Sequence, residues 1–159
     1  MTTLSSGGRA PDFDLADSTG RRWTLAGIGP GAVIIYFYPA ALTPGCTTEA
    51  VDFTSNRDAF NAAGYKIVGI SPDTPGKLAR FIEAKDLSVM LLSDPERTTI
   101  DAYGAWGVKM LYGKSIEGVI RSTFVVDVDD SGAGVVRLAE YNVRATGHVE
   151  RLAKELGIS

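Results

Sequence analysis

The sequence has almost none of the side chains from which proteins usually build metal sites and disulfides. Its 159 residues include one cysteine, Cys46, and one histidine, His148. A single cysteine cannot form an intrachain disulfide. One cysteine and one histidine cannot supply the ligand set of a structural zinc site either. We therefore expect no metal and no cofactor, and any thiol chemistry has to use Cys46 alone.

Positive charge and long apolar runs are also scarce. The chain has 16 Lys and Arg against 19 Asp and Glu, which gives a net charge of −3. This balance argues against a general nucleic-acid binder and against a protein that binds anionic membranes. No apolar run approaches the roughly 20 residues of a membrane-spanning helix. The first residues, Met1–Arg9, lack the basic-then-apolar pattern of a signal peptide, so we expect a cytoplasmic protein.

The rest of the composition is that of an ordinary globular protein. Charged residues make up 22% and hydrophobic residues 45% of the chain. A chain of about 150 residues is a usual size for one domain with a proper core. We therefore expect a single domain, residues 1–159.

The most informative stretch is Val33–Phe53, V-I-I-Y-F-Y-P-A-A-L-T-P-G-C-T-T-E-A-V-D-F. Its apolar and aromatic opening, Val33–Tyr38, is typical of a fully buried strand. Pro39 ends the strand, and Pro44 suits the first turn of a helix because its missing N–H has no intrahelical partner there. Cys46 is therefore predicted in the first turn of a helix, just past the carboxyl end of a central strand. The free N–H groups and the positive end of the helix dipole favour a thiolate at such a position.

A lone cysteine also has a simpler interpretation. In most soluble proteins it is a small buried hydrophobic residue. Such a residue would lie on the apolar face of a strand or helix, whereas Cys46 follows Thr-Pro-Gly at a strand-to-helix corner. Thr43, three residues before the sulfur, can present its hydroxyl group to whatever the sulfur attacks. The combination favours a reactive thiolate.

The segment Tyr36–Ala50 resembles the active-site segment of peroxiredoxins, and is most similar to that of the Q-type (bacterioferritin-comigratory-protein) group. The family pattern Pro-x-x-x-Thr-x-x-Cys corresponds here to Pro39, Thr43 and Cys46. The resemblance implies that Cys46 attacks a peroxide and becomes a sulfenic acid. It also implies that the Thr43 hydroxyl helps to bind the peroxide and that Pro39 shields the pocket from water.

A positive charge is needed to hold the thiolate, and Arg121 is the candidate. It lies in Gly118–Asp127, G-V-I-R-S-T-F-V-V-D, where it precedes an apolar run. On the residues alone, a solvent-exposed arginine at a strand edge fits the pattern equally well. The resemblance implies instead that Arg121 reaches the cysteine sulfur and the peroxide, a task suited to a group that stays charged and offers several donors. Glu49 either orients Arg121 or lies on the helix surface.

The family pattern breaks at one point. Many Q-type members carry a second, resolving cysteine five residues after the first, and here that position is Val51. The resemblance thus implies a one-cysteine thiol peroxidase, which reduces hydrogen peroxide and organic hydroperoxides with an external thiol. The reductant is thioredoxin, a glutaredoxin-like protein or a low-molecular-weight thiol. The alternative is a non-enzymatic redox sensor or chaperone-like module. We expect a monomer or a weak homodimer.

The pattern of elements predicts an α/β class protein with a thioredoxin-like fold of the peroxiredoxin type. A mixed β-sheet is flanked by helices and preceded by an N-terminal β-hairpin. In chain order, we predict hairpin strands in 10–15 and 22–25, a strand at 33–38, a helix at 44–63, a strand at 66–71, a helix that starts within 71–75 and runs to 85, a strand at 88–92, a helix at 94–103, a loop at 104–118, strands at 120–128 and 135–143, and a helix at 145–156.

Three weaker candidates are set aside. Gly107–Ser115 resembles a phosphate-binding loop, but five residues separate its glycines where the motif has four. Asp127–Gly132 begins like a calcium loop but has Leu138 at the twelfth position, where that loop has glutamate, and a tight turn fits it better. His148 lies among polar residues, which argues against a Cys–His catalytic pair.

Overall fold

The computed structural model describes residues 3–158, apart from the side chain of Leu111. Its strands are β1 Arg9–Ala10, β2 Asp14–Asp17, β3 Arg22–Thr24, β4 Gly31–Phe37, β5 Tyr65–Ser71, β6 Met90–Ser93, β7 Trp106–Leu111, β8 Lys114–Val119, β9 Ser122–Val128 and β10 Gly134–Glu140. Its helices are α1 Leu25–Ile28, α2 Pro44–Ala62, α3 Pro75–Lys85, α4 Thr98–Ala102 and α5 His148–Glu155. Among residues 3–158, none of the helices combines the length and apolar character needed to cross a membrane.

Eight strands form one mixed sheet in the order β1-β10-β9-β4-β5-β6-β2-β3. Strands β4, β5 and β6 are parallel, and β9 runs antiparallel to β4 on its other side. Strands β2 and β3 form the N-terminal hairpin, with Asp14 opposite Thr24. The predicted mixed sheet and hairpin are therefore present. The carboxyl ends of the parallel strands all lie at the same edge of the sheet.

Strand β4 lies in the middle of the sheet because both of its faces are apolar. Val33, Ile35 and Phe37 face one hydrophobic core, while Ile34 and Tyr36 face the other. All five side chains are fully buried. This burial on both sides explains why the strand shows no alternation between apolar and polar residues in the sequence.

The prediction of a loop at 104–118 was wrong. Residues Trp106–Leu111 and Lys114–Val119 pair as an antiparallel hairpin, β7–β8, which forms a second sheet. The two residues between the strands, Tyr112 and Gly113, both have positive φ, 52° and 77°. That is the geometry of a two-residue hairpin turn, which glycine adopts readily and tyrosine does not. The tyrosine and the glycines within the strands hide the hairpin in the sequence.

The last two helices begin later than predicted. Helix α4 starts at Thr98 rather than Asp94, because the Asp94 carboxylate reaches across a turn and accepts the N–H of Ile100 at 2.8 Å. Helix α5 starts at His148 because Gly147, with φ of 74°, turns the chain just before it. The remaining predicted elements are present, with ends shifted by one to a few residues.

Candidate active site

Cys46 lies where the central strand passes into helix α2. The N–H of Tyr38 continues the ladder to the carbonyl of Ile70 at 3.1 Å, and half-buried Pro39 then ends the strand. Thr43 precedes the helix in an extended conformation, and Pro44 is its first residue. Cys46 is thus in the first turn, where it is only 2% exposed. This is the strand–loop–helix arrangement predicted from the sequence.

Arg121 approaches Cys46 from the neighbouring strand. Because β9 is antiparallel to β4 and Ser122 pairs with Phe37, Arg121 lies beside the loop that follows β4. Its Nη2 donates to Cys46 Sγ at 3.3 Å, and its Nη1 donates to Glu49 Oε1 at 2.7 Å. The backbone carbonyl of Arg121 accepts the N–H of Val143 at 2.9 Å, which fixes the end of the strand.

Glu49 belongs to the interior and not to the helix surface. It lies one turn after Cys46 on the same face of α2, and its side chain is fully buried. The structure therefore brings three of the predicted residues, Cys46, Glu49 and Arg121, into direct contact through one guanidinium group. A largely buried guanidinium that bridges a carboxylate and a sulfur is restricted in its orientation.

Gly45 makes room for this guanidinium. A Cβ atom built at Gly45 would lie 3.3 Å from Arg121 Nη2 and 3.6 Å from the Cβ of Ala145. A side chain here would push the arginine away from the sulfur. The glycine of the Pro-Gly pair therefore lets the guanidinium approach the first turn of α2 closely.

Burial sets the charge state of the site. It raises the pKa of Glu49 to about 7 against the opposing effect of Arg121. Burial lowers the pKa of Arg121, but Glu49 and Cys46 raise it by more, so this pKa stays above its ordinary value and the group stays charged. A carboxyl group that is partly protonated near neutral pH neutralises the guanidinium only in part. More of the positive charge then acts on the sulfur.

Three buried oxygens beside the sulfur lack hydrogen-bond partners within the part of the chain that is described. They are Glu49 Oε2 and the hydroxyl oxygens of Tyr36 and Tyr38. Burial, followed by neighbouring acidic groups, raises the pKa of Tyr36 well above its ordinary value, so the phenol stays neutral. The tyrosines pack with Cys46 in the same core, and the Tyr36 ring stacks on Phe53 at 4.5 Å between centroids.

The raised pKa of Glu49 predicts a pH-dependent stability. Between its ordinary pKa of 4.5 and its folded pKa of about 7, the folded protein binds this proton more tightly than the unfolded chain. The contribution of Glu49 to the free energy of unfolding is therefore most favourable at low pH, and it is lost as the pH rises through this window. Relative to Glu49→Gln, we expect the wild type to lose about 3 kcal/mol of unfolding free energy across it.

Urea unfolding of wild type and Glu49→Gln at about pH 5 and about pH 8 measures this difference. Groups common to both proteins cancel in the comparison. A surface control, Asp58→Asn, removes a carboxylate whose side chain is fully exposed and should show no such drift. If the difference in unfolding free energy between the wild type and Glu49→Gln stays constant with pH, the raised pKa of Glu49 is contradicted.

Thr43 and Pro39 flank the sulfur along the chain. The exposed Thr43 hydroxyl donates to the carbonyl of Ala40 at 2.6 Å, and this is the hydrogen bond that the structure gives it. With its proton used in this way, the oxygen has lone pairs left to accept a hydrogen bond from a ligand. The catalytic roles of Thr43 and Pro39 remain predictions.

His148 does not act with Cys46. It is buried, and its Nε2 lies 2.8 Å from the hydroxyl oxygen of Thr123 on β9. Burial, together with the positive charges of Arg151 and Arg121, lowers its pKa to about 4, so the ring is neutral at physiological pH. The sequence places it among polar residues, but in the structure it is a core residue with one polar partner.

The structure also shows what the two remaining candidate motifs form. Gly107–Ser115 lies within the β7–β8 hairpin, so the strand–loop–helix context of a phosphate-binding loop is not present there. In the other candidate, Asp129 Oδ1 accepts the N–H groups of Ser131 and Ala133, at 2.9 and 3.1 Å, which closes a tight turn. Neither segment supports a nucleotide or calcium site.

Two polar residues near the site were missed by sequence reasoning. Asp73 follows β5, and its Oδ2 accepts the N–H of Ala41 in the loop before Cys46 at 2.7 Å. Lys109 on β7 donates to the carbonyl of Val119 at 3.1 Å. Val119 lies shortly before Arg121 in the sequence. Asp73 could have been found, because residues that follow neighbouring parallel strands meet at one edge of the sheet. Lys109 lay in the segment predicted to be a loop.

Comparisons with known proteins cover nearly the whole chain. The AhpC/TSA family model matches residues 6–137, a range that includes Cys46 and Arg121. A Mycobacterium tuberculosis protein with a provisional peroxiredoxin name is 52% identical over 157 residues, 99% of this chain and 98% of that protein. Peroxiredoxin Bcp of Escherichia coli is 40% identical over 129 residues, 81% of this chain and 83% of that protein.

A solved structure of a related protein is also similar to this chain. The bacterioferritin comigratory protein of Xanthomonas campestris, described in terms of its alkyl peroxide reduction activity, is 32% identical and superposes with a TM-score of 0.81. The superposition covers 91% of this chain and 90% of that chain. The predicted α/β, thioredoxin-like fold is confirmed by this likeness.

Proposed function

The chain belongs to the AhpC/TSA family, and within it to the Q-type peroxiredoxins, which are thiol-dependent peroxidases; on this premise we propose that Cys46 is the nucleophile that reduces the peroxide. The observation that carries the proposal is the contact of Arg121 Nη2 with Cys46 Sγ at 3.3 Å. A fixed cation beside the sulfur offers a hydrogen-bond donor both to the attacking sulfur and to a peroxide bound against it.

The chemical step follows from this geometry. The thiolate attacks one oxygen of the peroxide, an S–O bond forms, and the O–O bond breaks. Cys46 becomes a sulfenic acid, and the other oxygen departs with the electron pair and takes up a proton to become water or an alcohol. Negative charge moves from the sulfur to the leaving oxygen, so a donor that can reach both atoms lowers the barrier. The contact of Arg121 with Cys46 supports Arg121 as that donor.

A substitution of Thr43 tests the proposed site. We expect Thr43→Val to slow the reaction with peroxide about 10–100-fold, because the variant loses the oxygen that can accept a hydrogen bond from the O–H group of the peroxide. Thr43→Ser keeps the hydroxyl and should stay within a few-fold of wild type. Stopped-flow kinetics of the first oxidation step, followed by tryptophan fluorescence, compares the three proteins. Equal rates for Thr43→Val and wild type would remove Thr43 from the site.

The substrates we propose are hydrogen peroxide and organic hydroperoxides. The activity named for the Xanthomonas campestris relative is alkyl peroxide reduction. In this chain Leu42, directly before Thr43, is 43% exposed and offers an apolar surface beside the site. Such a surface suits the alkyl group of an organic hydroperoxide better than the small, polar hydrogen peroxide.

An outside thiol has to complete the cycle, since Cys46 is the only cysteine. The position where many Q-type members carry a resolving cysteine is Val51, which is 37% exposed on α2. The sulfenic acid condenses with a first outside thiol to give a mixed disulfide and water, and a second thiol releases Cys46. The reductant is thioredoxin, a glutaredoxin-like protein or a low-molecular-weight thiol, and the reducing cytoplasm would supply it.

Turnover with each reductant system in turn tests the function. We expect steady peroxide consumption with at least one of the three systems, and one equivalent of peroxide consumed in their absence. Fast oxidation without turnover by any of them would favour the alternative, a redox sensor or chaperone-like module that signals through oxidised Cys46. Oxidation no faster than that of free cysteine would overturn both. Sedimentation of the reduced and oxidised forms separates a monomer from a weak dimer.

A further inference from the structure

We propose that Lys109 is a specificity-determining residue for the second half of the cycle, whose ammonium group binds the carboxylate of a small acidic thiol that reduces oxidised Cys46. The inference rests on the proposed function, and among the reductants named there it selects low-molecular-weight thiols that carry a carboxylate. In this arrangement the sulfur of the thiol faces Cys46 and its carboxylate faces Lys109.

Lys109 lies across the β7–β8 hairpin instead of extending into solvent. Its Nζ donates to the carbonyl of Val119 at 3.1 Å. A Cβ atom built at Gly118 would lie 3.2 Å from the Cε atom of Lys109 and 3.5 Å from its Nζ, so the side chain runs closely over this glycine. Val119 ends β8, and Arg121 follows two residues later. The hairpin therefore brings the ammonium group to the strand end from which Arg121 reaches Cys46.

The ammonium group of Lys109 feels both charged groups of the site and lacks a carboxylate partner. Burial and the positive charge of Arg121 lower the pKa of Lys109, while the negative charge of Cys46 raises it. Among residues 3–158, no carboxylate lies within ion-pair distance of Lys109. The hydrogen bond that the structure gives it goes to a neutral carbonyl, and an ammonium group has three donors. Lys109 is thus a half-buried cation that can still bind an anion.

Oxidation of Cys46 changes the charge around Lys109. A thiolate is negative, whereas the sulfenic acid formed from it is neutral. The two cations are the same in both forms, and Glu49 is already paired with Arg121 at 2.7 Å. The oxidised site is therefore more positive than the thiolate site by one charge, and it attracts an anion more strongly. The peroxide meets the less positive form, so a carboxylate suits the reductant better than the peroxide.

The burial of the sulfur favours a small reductant. Cys46 is only 2% exposed, and a small molecule reaches such a sulfur more easily than a protein does. The thiolate of the reductant attacks the sulfur of the sulfenic acid, an S–S bond forms and the S–O bond breaks. Hydroxide leaves with the electron pair and takes up a proton to give water, and a second thiol then releases Cys46 by exchange. Lys109 raises the local concentration of the acidic thiol and does not touch the reacting atoms.

Three thiols of similar size and different charge test this recognition. They are 3-mercaptopropionate, 2-mercaptoethanol and cysteamine, in which the group beyond the thiol is negative, neutral and positive. The rate at which each reduces preformed Cys46 sulfenic acid is measured by quenched-flow mass spectrometry. Dividing the wild-type rate by the Lys109→Met rate cancels the intrinsic reactivity of each thiol.

We expect this ratio of rates to be about 3–10 for 3-mercaptopropionate, about 1–2 for 2-mercaptoethanol and below 1 for cysteamine, because removal of Lys109 removes an attraction for the first and a repulsion for the last. The ratio for the acidic thiol should fall toward 1 at about 1 M salt, which screens the attraction.

Matched variants separate charge from structure. Lys109→Arg keeps the cation and should retain most of the preference for the acidic thiol. Lys109→Gln keeps a donor for the Val119 carbonyl without the charge, and should lose the preference. Lys114→Met removes the same charge from an exposed position on β8 and should behave as the wild type. Urea midpoints show whether the variants fold, and if Lys109→Met does not, Lys109→Gln decides.

Equal ratios for the three thiols would overturn the proposal, as would the same loss of preference in Lys114→Met. So would slower oxidation of Lys109→Met by a fatty acid hydroperoxide, but not by tert-butyl hydroperoxide, with unchanged reduction, since Lys109 would then serve the peroxide. If wild-type Cys46 does not react with peroxide, the proposed function fails. The mixed disulfide of Cys46 with methanethiol, prepared with methyl methanethiosulfonate, still tests Lys109 with the same three thiols.

Discussion

Cys46→Ser is expected to lower the rate of peroxide reduction by at least about 10⁴-fold. The serine hydroxyl has nearly the same size, so it fits the same buried position among Tyr36, Tyr38 and Ala50. It does not ionise near neutral pH, however, and a neutral hydroxyl does not attack the O–O bond. The contacts of Arg121 with Glu49 remain in the variant, so the loss is one of chemistry and not of folding.

The measurement is direct because the chain has one cysteine. A thiol reagent should titrate one group per unfolded wild-type chain and none in Cys46→Ser. Peroxide consumption with each reductant system, and the circular dichroism and urea midpoint of both proteins, complete the comparison. Peroxide reduction by a folded Cys46→Ser protein would mean that another group performs the reaction.

Arg121→Ala is expected to slow the peroxide step about 10²–10³-fold, the usual effect of removing one donor from a site that stabilises developing charge. It also leaves the buried Glu49 carboxylate without its partner at 2.7 Å. Breaking a buried pair in this way costs up to about 3–5 kcal/mol of stability, and the cost is greatest at high pH, where Glu49 is ionised. The variant is therefore expected to be less stable than the wild type as well as slower.

A double-mutant cycle separates the two effects. Glu49→Gln combined with Arg121→Ala removes the orphaned charge and should recover part of the lost stability without recovering the peroxide rate. Arg121→Lys keeps the charge but loses the fork that reaches both Glu49 and Cys46, so it should react at an intermediate rate. A normal peroxide rate in Arg121→Ala would show that the second positive charge lies elsewhere, with Lys109 the next candidate.

The sequence was most informative where local chemistry and long apolar runs agree. Strand β4 was predicted because six apolar residues in a row that end at a proline are typical of a buried strand, and α2 because Pro44 can begin a helix but not continue a strand. Cys46 followed from the junction of the two. The link to Arg121 came from the resemblance to a family, since nothing in residues 118–127 alone distinguishes a buried arginine from an exposed one.

The parts that were missed depend on contacts between distant segments. The β7–β8 hairpin has a tyrosine at a turn position and glycines within its strands, and most of its described side chains are not buried. Asp73 looked like part of a helix start, and only the parallel pairing of β4 with β5 shows that it meets Ala41. The burial of Glu49 likewise depends on which face of α2 meets the sheet. The sequence left that choice open because the apolar residues of the helix are spread around it.

The order of residues along the chain has a consequence for synthesis of the protein. Arg121 lies 75 residues after Cys46, and the two meet only when β9 pairs beside β4. At usual translation rates the ribosome needs about 4–15 s to add that many residues. Throughout that time the cysteine has been incorporated into the chain and Arg121 has not. The nascent chain therefore carries its thiol before the contact with Arg121 can form, and the proposed site is completed only when β9 pairs beside β4.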